Sequence, residues 1–206
     1  MGPAIVTAVG LAGCELLTFL SNVNYLRCQL RYFTMPIVTN TSPVIVLTRI
    51  GRLEMLKELY GSVLMSPSVK VECIDRGKEA GARDVLEIEK GIGEGWIQLV
   101  NLDKREVREA RRLVDEARIG PGEAETLALA KSRSVLAVLD DKEARAIAKS
   151  WSLQHTGTVM LFYEAFVKGL IGYNELVEDL AKVTRIMWIS TDVITEIIRR
   201  AKEVEK

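Results

Sequence analysis

Four short stretches carry side chains able to hold a hard cation or move a proton: Asn40 with Ser42, Glu72, Glu123, and the pair Asp140-Asp141 followed by Lys142 and Arg145. Histidine chemistry has little to work with, because His155 is the single histidine of 206 residues. It stands in a short polar segment before Gly157 and reads as a structural residue, so a Ser-His-Asp triad has no support. The cysteines, Cys14, Cys28 and Cys73, form no CxxC pair, which argues against a zinc site or a disulfide framework. Carboxylates are left to do the chemistry. Acids brought together repel one another and are costly to desolvate, so a cluster of them is most easily explained by a hard divalent cation such as Mg²⁺ or Mn²⁺. Such a cation activates water for attack on a phosphodiester and stabilises the charge that develops on oxygen.

Each of these residues also has a plainer use. Glu123 falls in the first turn of a helix, where the macrodipole favours a carboxylate. Asp140 and Asp141 can cap the next helix. Asn40 and Ser42 suit a turn before Pro43, and Glu72 suits a solvated helix face. Lys142 and Arg145 lie one helical turn apart, where they either hold a phosphate or serve as surface charge. The run Gly91-Ile92-Gly93-Glu94-Gly95 follows a helix and precedes a strand, the reverse of a phosphate cradle, and is expected to be a turn. Trp96, Trp151 and Trp188 fit core or edge packing better than a base-stacking platform.

The elements that must position these groups alternate short β-rich runs with helical ones from Pro36 onward, which predicts a parallel sheet covered by helices. The strands are expected at Pro36–Thr39, Val63–Met65, Trp96–Val100, Val135–Leu139 and a short one near Gln154–Thr156. The uninterrupted apolarity of the fourth places it inside the sheet. Two short helices broken near Gly51 follow strand one, and Gly61 ends them. Ser66-Pro67 starts a helix carrying Glu72. A polar stretch, Asp75 to Gly81, then leads to a helix ending near Lys90. Asp103 and Glu106 form a capping box for a helix with Val107, Ala110, Val114 and Ala117 on one face. Further helices are expected from about Gly122, over Lys142–Ser150 and Thr158–Lys168, from an Asn174 cap, and from Thr191 or Asp192 to the end, with Met187–Ile189 extended. Asn40 and Ser42 therefore follow strand one, Glu72 rides on the helix after strand two and Asp140-Asp141 follow strand four, at the carboxyl edge where open parallel sheets bind their ligands, while Glu123 opens the helix that leads into strand four.

Lysine plus arginine total 28 and aspartate plus glutamate total 28, so overall charge points to no partner and any patch must be local. The segment from Ile5 to Leu20 is mostly apolar, and Leu11-Ala12-Gly13-Cys14 matches a lipoprotein cleavage box. No basic residues precede it, and the stretch is short and interrupted for a membrane span. Residues 1–34 are read as an N-terminal extension, either leader sequence or an extra helix. Residues 35–171 are read as the α/β domain, and 172–206 as a C-terminal helical extension.

Asn40-Thr41-Ser42-Pro43 after strand one, Gly122-Glu123-Ala124-Glu125 opening an alanine-rich helix, Asp140-Asp141-Lys142 with Arg145, and His155-Thr156-Gly157-Thr158 together resemble a prokaryotic branch of the PIN-domain superfamily. The branch resembled is that of the VapC-type ribonucleases of type II toxin–antitoxin pairs. The resemblance spans about Met35 to Ile171. It implies a three-layer sandwich with a central parallel sheet of four to five strands flanked by helices, here with C-terminal helices added. It further implies acids gathered around one or two Mg²⁺ or Mn²⁺ ions that hydrolyse single-stranded or structured RNA. Carried over by position, Asn40 takes the place of the first acid, Glu72 the second, Glu123 the third and Asp141 the fourth, with Asp140 beside it. Ser42 supports the first. Glu72, Glu123 and Asp141 are then the catalytic set, all five including Asn40 and Asp140 are metal ligands, and Lys142 and Arg145 contact RNA phosphate. Asn40 departs from the aspartate common at that place, which removes one negative charge. The resemblance also implies a cognate antitoxin, a homodimer, a cytoplasmic site of action and no membrane. A different class of function is a non-catalytic scaffold that binds RNA or protein. A receiver-like signalling domain is disfavoured, because Thr156-Gly157-Thr158 stands where its lysine would be required.

Overall fold

The computed structural model describes residues 35–82 and 84–205. The lipoprotein-like box, Cys14, Cys28 and the expected N-terminal extension lie outside the described residues. The elements run β1 (Ile37–Thr39), α1 (Thr41–Arg49), α2 (Met55–Tyr60), β2 (Val63–Met65) and α3 (Pro67–Lys70). A π-helical turn (Val71–Asp75) leads into α4 (Arg76–Glu79), α5 (Asp84–Gly93), β3 (Ile97–Leu99), α6 (Lys104–Ala117) and α7 (Pro121–Arg133). The chain continues through β4 (Leu136–Val138), α8 (Lys142–Ser150), β5 (His155–Thr156), α9 (Thr158–Val167), α10 (Tyr173–Val183) and α11 (Thr191–Glu205). The architecture is an α/β sandwich whose five strands are all parallel, in the order β3-β2-β1-β4-β5. Successive connections step outward from β1 to β2 to β3 and then reverse to β4. The topological switch point therefore lies between β1 and β4, where such sheets place their ligands.

Local sequence explains most of the boundaries. Gly61 ends α2 with φ +77 and turns the chain into β2. Ser66 caps α3 by accepting the Val69 N–H, with Pro67 in the first turn. The capping box of α6 is complete, Asp103 accepting from Arg105 and Glu106 N–H while the Glu106 carboxylate accepts from Asp103 N–H. Apolar residues alternating along the strands place Val38, Leu64, Ala137 and Leu139 in one core with Ala110 and Leu113 of α6, Leu127 of α7 and Ala144 of α8.

Several expectations change. Asp75–Glu79 is not an irregular polar stretch, because it continues from the π turn into α4. The glycine-rich run is only partly a turn: Gly91-Ile92-Gly93 closes α5, and a methyl on Gly91 would stand 2.6 Å from Ile97 and 2.8 Å from Trp96. On α6, Val107 is exposed while Leu113 is buried, so the buried stripe is rotated from the expected one. Gly172, not Asn174, precedes α10, its N–H donating to Glu175 at 3.0 Å. Met187–Ile189 joins no strand, and Thr191 already belongs to α11. Trp96 is buried and Trp151 packs under Lys131 at 4.0 Å, but Trp188 is 88% exposed and packs in no core. Asp179 of α10 is fully buried between Arg52 at 2.6 Å and Lys182 at 2.9 Å, which ties α10 to the turn after α1. Among the described residues no helix is long and apolar enough to cross a membrane.

Candidate functional site

β1 ends in Thr39, and the backbone N–H of Asn40 donates to Val138 O at 3.3 Å, so the β1–β4 ladder holds Asn40 one residue beyond the strand. The side chain is consequently fixed at the switch point and is fully buried. Its Nδ2 donates to Glu123 Oε1 at 3.0 Å across 83 residues of sequence. That orientation is the one electrostatics demands, since the amide oxygen would repel the carboxylate. Asn40 Oδ1 is left as the one buried side-chain polar atom without a hydrogen-bond partner among the described residues. An orphaned buried acceptor costs about 1–3 kcal/mol. The remedy for such a group is a water or a cation.

Glu123 occupies the first turn of α7, where Gly120 and Pro121 start the helix. Gly120 has φ −64 and ψ 156, which any residue adopts; what requires glycine is the carboxylate above it, because a methyl there would collide with Glu123 Oε2. Gly122 plays the same part toward the other acid: a methyl on it would stand 3.2 Å from Glu72 Oε2. Glu72 projects from the π turn, a distortion frequent at functional sites, and accepts a hydrogen bond from the Thr41 hydroxyl. The adjacent Cys73 is buried, and its thiol is pushed up to about 12, first by burial and then by the neighbouring Glu72 charge. Glu125, on the next turn of α7, is spent on Ser68, accepting from N–H at 2.8 Å and from the hydroxyl at 2.7 Å.

Beyond β4, both aspartates are engaged separately. Asp140 accepts from Thr158 N–H at 2.8 Å and from the Thr158 hydroxyl at 2.7 Å. Asp141 caps α8 through Oδ1, taking the Ala144 N–H at 2.7 Å, which leaves its second oxygen without a hydrogen bond among the described residues. Arg145 stands near Asp140 above Gly157, where a methyl would meet Asp140 Oδ1 at 3.4 Å and Arg145 Nη1 at 3.5 Å. The side chains of Lys142 and Arg145 are exposed and make no hydrogen bond or ion pair among the described residues.

The structure thus joins Asn40 to Glu123 and sets Glu72 against Gly122, beside Glu123 in sequence. No hydrogen bond links Asp140 or Asp141 to the other three. No three His, Cys, Asp or Glu side chains converge as a metal cage among the described residues, because each carboxylate is drawn toward its own donor: Thr41, Asn40, Thr158 and the Ala144 N–H. Ser42 is half-buried and makes no hydrogen bond among the described residues; the hydroxyl that reaches an acid is that of Thr41. Sequence reading also missed Thr158, although it stands in the motif His155-Thr156-Gly157-Thr158.

Residues 36–203 match the family described as the PIN domain. The chain belongs to the PIN-domain family. No curated protein matches it. PIN domains are generally nucleases that use divalent metal ions, so the family supports a nuclease-type function. The donor types suit such an ion, although the acids do not converge on one point among the described residues. Asn40 supplies a neutral amide oxygen that is buried and unpartnered, and Glu72, Glu123 and Asp141 supply the hard oxygens that Mg²⁺ and Mn²⁺ prefer.

Proposed function

We propose that this PIN domain is a metal-dependent endoribonuclease that hydrolyses RNA phosphodiester bonds with Mg²⁺ or Mn²⁺. The observation that carries the reading is the buried, unpartnered Oδ1 of Asn40 beside Glu123 at the switch point of the sheet. Asn40, Glu72, Glu123 and Asp141 would hold the ion, with Asp140 behind them. When bound, it would supply Lewis-acid polarisation of a phosphoryl oxygen and a water nucleophile usable at neutral pH.

The protein's own part is positioning. Asn40 Nδ2 steers the Glu123 carboxylate, Thr41 steers Glu72, and the Ala144 N–H restrains Asp141 while leaving one oxygen unpaired. Thr158 holds Asp140 by two hydrogen bonds, which keeps that charge directed at the edge of the sheet. Lys142 and Arg145, which pair with no acid among the described residues, are suited to RNA phosphate. We assign the protein the role of a toxin silenced by a cognate antitoxin, acting in the cytoplasm as a homodimer.

The test is cleavage of a labelled single-stranded RNA in Mn²⁺ by the wild type and by Asp141→Asn. Cleavage by the wild type that the variant loses, by about a hundredfold or more, is the expected result. Equal cutting by both would remove Asp141 from the mechanism.

A further inference from the structure

A groove leads away from the acids along the carboxyl edge of β2 and β3. Its near part, a cavity of about 190 Å³, is lined by Glu72 itself together with Arg76, Pro67 and Pro121. Pro67 and Pro121 also line the far part, a cavity of about 430 Å³ that runs between the segment after β3 and the flank of α6. That larger space lies within the range of small-ligand clefts. Its walls are mainly aliphatic, Leu102, Val107 and Val114 among them, and Arg111 of α6 stands at its side. The side chains of Arg76 and Arg111 are exposed and make no hydrogen bond or ion pair among the described residues. The one carboxylate lining the far cavity, Glu125, has both oxygens committed to Ser68.

We propose that this groove is a subsite for one nucleotide of single-stranded RNA next to the bond being cut: the base enters the aliphatic cavity beneath Arg111, and the intervening phosphate lies toward Arg76. The inference rests on the nuclease reading and deepens it. Three properties favour this occupant. The groove is continuous with the candidate site through Glu72, two of its lining side chains are arginines unpaired among the described residues, and its apolar walls suit the face of a base. Arginine planes stack on unpaired bases, and a guanidinium without an acidic partner is available to do so. Arg112, the next residue on α6, points elsewhere and pairs with Glu109 at 3.0 Å, so it serves as a control of equal charge.

The experiment measures binding of a fluorescein-labelled twelve-nucleotide single-stranded RNA by anisotropy in EDTA, with Mn²⁺-dependent cleavage followed separately. Arg111→Ala is expected to weaken binding about tenfold, as loss of one stacked base does, and Arg112→Ala by less than about twofold. Val107→Glu, at an exposed lining position, is expected to match Arg111→Ala. An RNA with a single abasic ribose, moved along the strand, should bind the wild type about tenfold more weakly at one position. The same scan should show no such position in Val107→Glu. Equal binding by the Arg111 and Arg112 variants, or an abasic scan without a sensitive position, overturns the subsite and leaves the groove to an apolar peptide. If the wild type cuts no RNA but the binding pattern holds, hydrolysis falls and the subsite stands. If cutting persists while Arg111→Ala binds normally, the reverse is true.

Discussion

Asn40→Asp restores the charge that the sequence lacks at the first position, and the structure dictates what that costs. In the wild type Asn40 Nδ2 donates to Glu123 Oε1 at 3.0 Å in a fully buried setting. Aspartate removes the donor, losing a charge-assisted hydrogen bond worth about 1.5–3 kcal/mol, and sets two carboxylates face to face. At an effective dielectric of about 20, unit charges 4 Å apart repel by about 4 kcal/mol. Side-chain movement relieves part of this, so a net loss of about 3 kcal/mol is expected in the absence of metal. For a chain of this size that lowers Tm by about 6–12 °C. Mn²⁺ reverses the sign of the effect, because a ligand that binds the folded state stabilises it in proportion to its affinity. Calorimetric melting in EDTA and in millimolar Mn²⁺ checks both halves. A variant that melts within about 2 °C of the wild type in EDTA would show that residue 40 faces no uncompensated charge, and one that gains no more from Mn²⁺ than the wild type does would show that it is no ligand.

Gly120→Ala should cost only about 1 kcal/mol of stability, since its backbone suits any residue, yet weaken Mn²⁺ binding about tenfold by displacing the Glu123 carboxylate; unchanged affinity in a calorimetric titration counts against Glu123 as a ligand. Asp179→Ala removes a buried carboxylate from the partly exposed Arg52 and should lower stability by about 1.5–3 kcal/mol in urea unfolding, with a loss under 1 kcal/mol showing that α10 is not anchored through Arg52. The Cys73 thiol, raised in the fold to about 12 from an ordinary value near 9, favours the folded state fully below pH 9. That contribution is lost as the pH rises toward 12, so Cys73→Ala should flatten the alkaline fall in Tm, and identical alkaline profiles would contradict the burial argument.

Where the chain obeys local rules, the fold was legible. Val63-Leu64-Met65 between Gly61 and Ser66-Pro67, and the apolar run into Asp140, are β-rich segments bounded by turn formers, and they became β2 and β4. The π turn was not legible, because an extra residue in a helical turn leaves the apolar spacing of Val69, Cys73 and Ile74 looking helical. Met187–Ile189 has strand-like residues but no neighbouring strand to pair with among the described residues. The site divides in the same way. Strand ends identified the neighbourhoods of Asn40 and Asp140-Asp141, but whether Thr41 or Ser42 meets Glu72 depends on helix rotation. Likewise, the bond between Asn40 and Glu123 joins residues 83 apart, which no local pattern encodes.

A divalent-cation centre at the edge of β1 and β4, built around Asn40 Oδ1, is probed by calorimetric titration of Mn²⁺ into the wild type and Asp141→Asn. Saturable binding to the wild type that is lost in the variant is expected. Absence of binding to the wild type at millimolar Mn²⁺ contradicts it, and would leave a PIN-domain scaffold whose acids serve its own helix caps and hydroxyls.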